Sequence, residues 1–318
     1  MTSAHLEQGL VSGQTRSTGA TVRVWLKAAR APFLTMSVIH CLLGGLIALC
    51  QGPIDPARFL IATLGVAMAH AAANLIDDYF DFATGNLANK TRQFHDSPLI
   101  AGQVTPRQVG IAAVICIVLA VAAGLYALVR GETPVLGLML AGGFGVLFYT
   151  APPLRLNYRG FGEFLLFLLV GPALIAGMSH VLTGRITAGA MVASIPVGLF
   201  ATNVVLVSNL FDHDDDRRAG KGTIPVRFGR AFAVRLLAAS SALAYGAIIG
   251  GVAFGLLPVG CLLALLTAPL AVGVIGAARD YLDPARYTPA MVRAIRLAVA
   301  VGLILCGAYG WTALHGSF

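Results

Sequence analysis

Nine apolar runs, each near the length that crosses a bilayer, leave this 318-residue chain few ways to fold. A hydrocarbon core about 30 Å thick is spanned by roughly 20 apolar residues in a helix. Runs of that kind fall at 32–50, 57–81, 108–129, 133–149, 161–182, 187–210, 232–254, 258–278 and 291–313. In lipid a backbone must satisfy its own N–H and C=O groups, which helices do within one segment. Proline and glycine punctuate the joints, as in Gln51-Gly52-Pro53, Ala151-Pro152-Pro153 and Leu257-Pro258. The expectation is an all-α integral membrane protein with nine transmembrane helices. One domain covers 28–318, behind a disordered polar tail at 1–27.

Composition closes the soluble alternative. Charged residues make up 11% of the chain and hydrophobic ones 57%, whereas a soluble domain carries about 25% charged residues to keep its surface wet. The five cysteines (Cys41, Cys50, Cys116, Cys261, Cys306) sit in apolar stretches without metal-ligand spacing and read as small core residues. The polar start lacks an apolar run behind an early basic cluster, so no cleaved signal peptide is expected.

A net charge of +8 invites a nucleic-acid reading until the basic residues are placed. With nine spans, 18 of the 22 Lys and Arg residues fall on the side of the N-terminus, and only Arg58, Arg130 and Arg185 on the other. That asymmetry puts the N-terminus in the cytosol of a cytoplasmic (inner) membrane protein. Topology and anionic lipid account for the charge, so nucleic acid is not a partner, nor is an obligate protein partner indicated.

Of only 14 acidic residues, seven lie in two short windows. One runs from Asn74 through Asp77 and Asp78 to Asp81; the other from Asn209 through Asp212, Asp214 and Asp215 to Asp216. In each, an Asn precedes a final Asp by seven positions, a spacing that shares one helix face. The match has the look of an internal repeat closing spans 2 and 6. Clustered carboxylates at a membrane edge repel and call for a cation. Oxygen-only donors suit a hard ion, and Mg²⁺ is commonly held by one or two carboxylates plus phosphate oxygens. Two facing acidic stripes would let metal ions bridge a diphosphate, with Lys90, Arg92, Arg155, Arg159 and Lys221 on the same side for its oxygens.

These windows resemble the two Asp-rich motifs of the UbiA superfamily of intramembrane prenyltransferases. NLIDDYFDFATG (Asn74 to Gly85) and DHDDDRRAGKGTIPVRFG (Asp212 to Gly229) are most similar to the 1,4-dihydroxy-2-naphthoate polyprenyltransferase branch, which serves menaquinone biosynthesis. Arg30-Ala31-Pro32 and YTAPPLRLNYRGFGEFLLFLLVGP (Tyr149 to Pro172) support the likeness, which runs from about 28 to 310. The resemblance implies nine helices around a central cavity open to lipid, and Mg²⁺-dependent transfer of a prenyl chain from its diphosphate to an aromatic acceptor. It implies a metal and diphosphate site of Asn74, Asp78 and Asp81, and another of Asp212 and Asp216, with Asp214 a lesser member. Lys90, Arg92, Arg155 and Arg159 would grip diphosphate, joined by Lys221, Arg30 and Asn209 in the substrate-binding set. Tyr149 would lie near the reacting allylic carbon or its acceptor. Three positions depart from the branch: Asp77 replaces a usual Asn, Phe211 a frequent Arg, and Asn86-Leu87 a frequent acid. They leave the metal logic intact and bear on acceptor identity.

The chemistry so implied is ionisation of an allylic C–O bond in a water-poor site. The π faces of Tyr79, Tyr149 and Tyr158 would shelter the cation. Other residues carry two readings. His40, His70 and His180 are ordinary helix–helix hydrogen-bond partners or proton relays, His70 first because it lies one turn before Asn74. Glu163 opens span 5, where a helix N-terminus favours a carboxylate. Phe144, Phe148, Phe164 and Phe167 face core or lipid, or else line a prenyl groove. Three alternatives remain at this point: another acceptor, acceptor-free terpene cyclisation on the same fold, and a secondary transporter.

Overall fold

The computed structural model describes residues 18–87, 97–129 and 134–316, and these contain helices and connections but no strand. The chain runs through α1 (Thr18–Ala28), α2 (Ala31–Leu49), α3 (Pro56–Ala83), α4 (Pro106–Val129) and α5 (Val135–Phe148). Next come α6 (Gly162–Leu168) and α7 (Leu174–Thr183), joined by a π-helical turn at Leu169–Ala173. After α8 (Ala188–Phe211) follow two short helices, α9 (His213–Arg218) and α10 (Ile224–Phe228), then α11 (Arg230–Ala253). A 3₁₀ stretch, Val259–Thr267, leads into α12 (Ala268–Arg279), and α13 (Tyr287–His315) ends the bundle.

Eight of these helical stretches are long and apolar enough to cross a membrane, each matching an expected run. The ninth, α5, is apolar but has 14 residues, about 21 Å at 1.5 Å per residue, short of a full bilayer core. The tail expectation needs correction. Residues 18–28 form α1, and Ala28 is buried against the bundle; residues 1–17 lie outside the described residues.

Local chemistry sets the ends of the two helices that matter most. Asp55 accepts from the backbone N–H groups of Ala57 and Arg58, with Pro56 at the first helical position, so α3 starts there. Thr187 caps α8 through Ala190 N. The hydrophobic pattern then sorts the helices. In α8, 72% of the central window is buried; in α4 the figure is 11%. α8 is therefore the hub of the bundle. α4 packs on α3 and turns Ile111, Val114, Ile115, Val118 and Leu125 outward, where only lipid suits them.

A close backbone approach locks the hub to the π turn. A Cβ on Gly198 of α8 would stand 2.9 Å from Gly171 Cα, and one on Gly171 would stand 3.0 Å from Gly198 Cα. Only glycine fits on both sides, the small-residue contact that replaces hydrophobic driving force between helices in lipid.

Candidate active site

At 28 residues, α3 is about 42 Å long, more than a bilayer core, so its last turns can carry acids near the membrane edge. Those turns and the end of α8 open on one cavity of about 490 Å³. Asn74 and Asp77 line it from α3; Asn209, Asp212 and Lys221 line it from the second window and the loop behind it, and Arg30 and Tyr149 complete its polar end. The two windows thus face each other. Deeper, the wall is mostly apolar, with Met36, Val66, Leu138, Leu174 and Met178.

Asp78, Asp81, Asp212 and Asp216 are all buried. Arg30 reaches both Asp78, by a short ion pair, and Asp77 at 3.2 Å. Burial opposes the Arg30 charge, but the carboxylates of Asp78 and Asp77 raise its pKa above the usual value. Arg30 sits in the left-handed region (φ 52), a conformation that costs a non-glycine residue about 1 kcal/mol or more and is tolerated where surroundings demand it. Asp81 accepts from Lys221 Nζ at 3.1 Å, Asn86 Nδ2 at 3.1 Å and Tyr158 Oη at 2.7 Å. The Lys221–Asp81 pair joins the two remote windows directly. Burial opposes the Lys221 charge too, but Asp81, Asp77 and Asp216 hold it well above the ordinary lysine value. Tyr149 is driven upward by burial first and then by Asp77 and Glu163, so its phenol stays protonated.

The two motif amides are oriented alike. Asn74 Nδ2 donates to Ala29 O at 2.9 Å, and Asn209 Nδ2 donates to Glu163 Oε1 at 2.9 Å. With each NH₂ tied back into the protein, the amide oxygen is the atom left for a cavity ligand. Asp212 accepts from Ser208 Oγ and Asp216 from Thr223 Oγ1, both at 3.4 Å. The result is a buried, oxygen-only donor set, which fits a hard divalent cation such as Mg²⁺. Among the described residues no three His, Cys, Asp or Glu side chains converge tightly enough to hold an ion by themselves. That suits a cation whose shell is completed by phosphate oxygens and water.

Other expected residues fall elsewhere. Arg155, also left-handed (φ 45), lies over the ring of Tyr158, the tyrosine that donates to Asp81, at 5.7 Å and does not line the cavity. Arg159 is exposed and donates to Pro153 O at 3.1 Å, away from the cavity. Lys90 and Arg92 lie outside the described residues. Asp214 points outward to Arg230 at 2.7 Å and His213 at 2.8 Å; hydrogen bonds from these two lower its pKa. Tyr79 packs edge-on against Phe80 in the core beside α4 and does not line the cavity. Phe144 and Phe164 are exposed, which leaves lipid contact as their role.

Three features escaped the sequence reading. Glu163 does not merely favour a helix start: it is buried and holds Asn209 and, at 3.4 Å, Ile224 N. Thr150 donates to Asp77 at 2.6 Å, which accommodates an acid where the branch has an amide. Asn157 lines the cavity. All but Asp77 belong to the Tyr149 to Pro172 stretch, whose dense polar residues beside an apolar span were the available signal. Phe211 stacks on Tyr287 with centroids 5.2 Å apart, so an apolar contact fills the position where an arginine is frequent.

A helical membrane bundle with an acidic and basic mouth on an apolar chamber defines a class. Such a site has the chemistry to suit a ligand with an anionic head and an apolar body. The chain belongs to the UbiA prenyltransferase family, whose sequence profile matches residues 37–300. It is therefore an integral membrane enzyme that transfers prenyl groups, and the transporter alternative falls. An Escherichia coli protein named 1,4-dihydroxy-2-naphthoate octaprenyltransferase is 27% identical over 295 residues, 89% of this chain and 93% of that one. Among solved structures, an apo UbiA homolog from Aeropyrum pernix K1 superposes with a TM-score of 0.63 at 18% identity, covering 87% of this chain and 98% of that one. A UbiA homolog from Archaeoglobus fulgidus bound to DMAPP and Mg²⁺ gives 0.53 at 17% identity, with the same coverage. These two likenesses establish the fold.

Proposed function

We propose that this enzyme transfers a polyprenyl chain from its diphosphate to an aromatic acceptor, 1,4-dihydroxy-2-naphthoate, as a step of menaquinone biosynthesis. The observation that carries the reading is that Asn74 and Asp77 of one window, Asn209 and Asp212 of the other, and Arg30 and Lys221 line one end of a mostly apolar cavity, with Asp78 and Asp81 behind that wall on Arg30 and Lys221. The naphthoate assignment is supported by the name of the Escherichia coli relative and by the motif likeness. A divalent cation, when bound, supplies the charge neutralisation that lets diphosphate leave. Asn74, Asp78 and Asp81 would hold it on one side, Asp212 and Asp216 on the other.

The chain's own residues do the rest. Arg30 and Lys221, already seated on the carboxylates, are placed to shift their donors to phosphate oxygens as the C–O bond lengthens. Arg155 stands behind Tyr158, off the cavity wall. Tyr149, in the cavity wall, presents its ring to the developing allylic charge. The apolar wall accepts the tail and keeps water from the reacting carbon. The polar end faces the cytosol of the cytoplasmic membrane, as the excess of Lys and Arg on that side supports.

Purified protein in lipid nanodiscs, given Mg²⁺, labelled polyprenyl diphosphate and the naphthoate, should release diphosphate and yield a prenylated 1,4-dihydroxynaphthalene, its mass telling whether the attacked carbon lost a proton or its carboxyl as CO₂. Turnover of the prenyl diphosphate to a hydrocarbon or alcohol at the same rate without naphthoate would instead make the protein a cyclase or hydrolase.

A further inference from the structure

One turn before Asn74, the same stripe of α3 carries His70, and the cavity wall there has polar groups that neither a diphosphate nor a hydrocarbon tail requires. His70 Nδ1 lies 2.8 Å from Ser37 Oγ of α2. His40, one turn further along α2, has its Nδ1 2.8 Å from Val170 O of the π turn. Each imidazole therefore keeps Nε2 for another partner, and Ser37, His40 and His70 all line the cavity. A tie between two helices accounts for the Ser37 contact. It does not account for two rings that each commit one nitrogen to the protein and border the same chamber.

Distance along the helix fits a second substrate. At 1.5 Å per residue, His70 lies about 6 Å below Asn74 and about 10 Å below Asp77, room for one aromatic ring between diphosphate and imidazole. A hydroxylated aromatic is mostly apolar and suits this wall, but its ring oxygen cannot enter a dry chamber without a hydrogen-bond partner. Neutral imidazole both donates and accepts, so one ring serves a hydroxyl in either sense.

We infer that the Ser37–His70 pair, with His40 beside it, is the subsite that binds the ring hydroxyl of the aromatic acceptor, Ser37 fixing the imidazole so that Nε2 meets that oxygen. The inference rests on the prenyltransferase reading above and deepens it by assigning the acceptor's place. It separates two jobs along α3: the acids at the membrane edge handle the leaving group, and His70 handles the nucleophile.

The test compares wild type, His70→Ala, His70→Gln and Ser37→Ala in nanodiscs. Two readouts are taken: KM for naphthoate and for prenyl diphosphate, and fluorescence titration with 1-hydroxy-2-naphthoate in the absence of Mg²⁺ and prenyl diphosphate. His70→Ala should raise the acceptor KM and weaken the probe about tenfold, as loss of one buried hydrogen bond does, with KM for prenyl diphosphate unchanged. His70→Gln should recover part of the loss, and Ser37→Ala should lose less than His70→Ala because the ring remains. A His70→Ala protein with wild-type acceptor KM and probe affinity, and only a lower melting temperature, makes the pair a structural tie and overturns the subsite. Wild type that binds the probe through His70 but prenylates no naphthoate overturns the functional reading and leaves the subsite. Wild type that neither binds nor turns over overturns both.

Discussion

On α3, Asn74, Asp78 and Asp81 remain on one unbroken helix, whereas the second Asp-rich segment leaves α8 at Phe211, turns at Asp212 and restarts as α9 at His213. Equal spacing in the chain has become two different backbones. The first window is met by cations and donors from elsewhere: Arg30 on Asp78, and Lys221, Asn86 and Tyr158 on Asp81. In the second, the turn sends Asp212 toward the cavity and Asp214 out toward Arg230. What the windows share is the locked amide, anchored to a backbone carbonyl in one case and to buried Glu163 in the other. Spacing alone does not define a motif's geometry; what it shares with its counterpart is the atom offered to the ligand.

The comparison can be broken most directly at the carboxylates. Asp78→Ala and Asp212→Ala should each cut kcat at least about 1,000-fold, the scale of losing a principal electrostatic element, while membrane insertion stays intact by fractionation. A much milder loss for one of them would mean that the windows do not act as a pair. Next comes the tie between them. Lys221→Met should lower stability by about 3 kcal/mol, because it strands buried Asp81. Adding Asp81→Asn should recover part of that loss in thermal unfolding, a recovery that two independent sites would not show.

A smaller effect tests the second amide. Glu163→Ala should raise the Mg²⁺ concentration needed for half-maximal turnover about tenfold, as expected when a partner that orients a ligand is lost. Glu163→Gln, which keeps a carbonyl for Asn209 Nδ2, should stay near wild type. Smallest of all, Asp214→Asn should change kcat/KM less than about twofold, since its side chain is 67% exposed and paired outside the site. A large loss there would show that the turn at Asp212 does not sort the acids as described.

Much of this was legible in the chain. The apolar runs coincide with eight crossing helices and the shorter α5, because lipid forces each run to satisfy its own backbone. The acids stood out because so few charges occur elsewhere. Glu163 does open a helix, as read, but its second role was hidden because that local explanation suffices and its tie to Asn209 spans 46 positions. Tyr79 was misplaced because Asn74 and Asp77 of the same motif line the cavity while its own position on α3 turns toward α4. The expected matching of the two windows failed at Asp212, where the helix ends.

The sequence by itself determined the membrane class, the helical segments and the pool of acidic and amide side chains, since hydropathy and charge act residue by residue along the chain. Only the tertiary structure decided which acids turn inward, that Lys221 bridges to Asp81, and that Ser37 and His70 share a wall. Those outcomes depend on helix crossings such as Gly171 against Gly198. Contacts of that kind place residues distant in the chain within a few ångströms, and no local pattern encodes them.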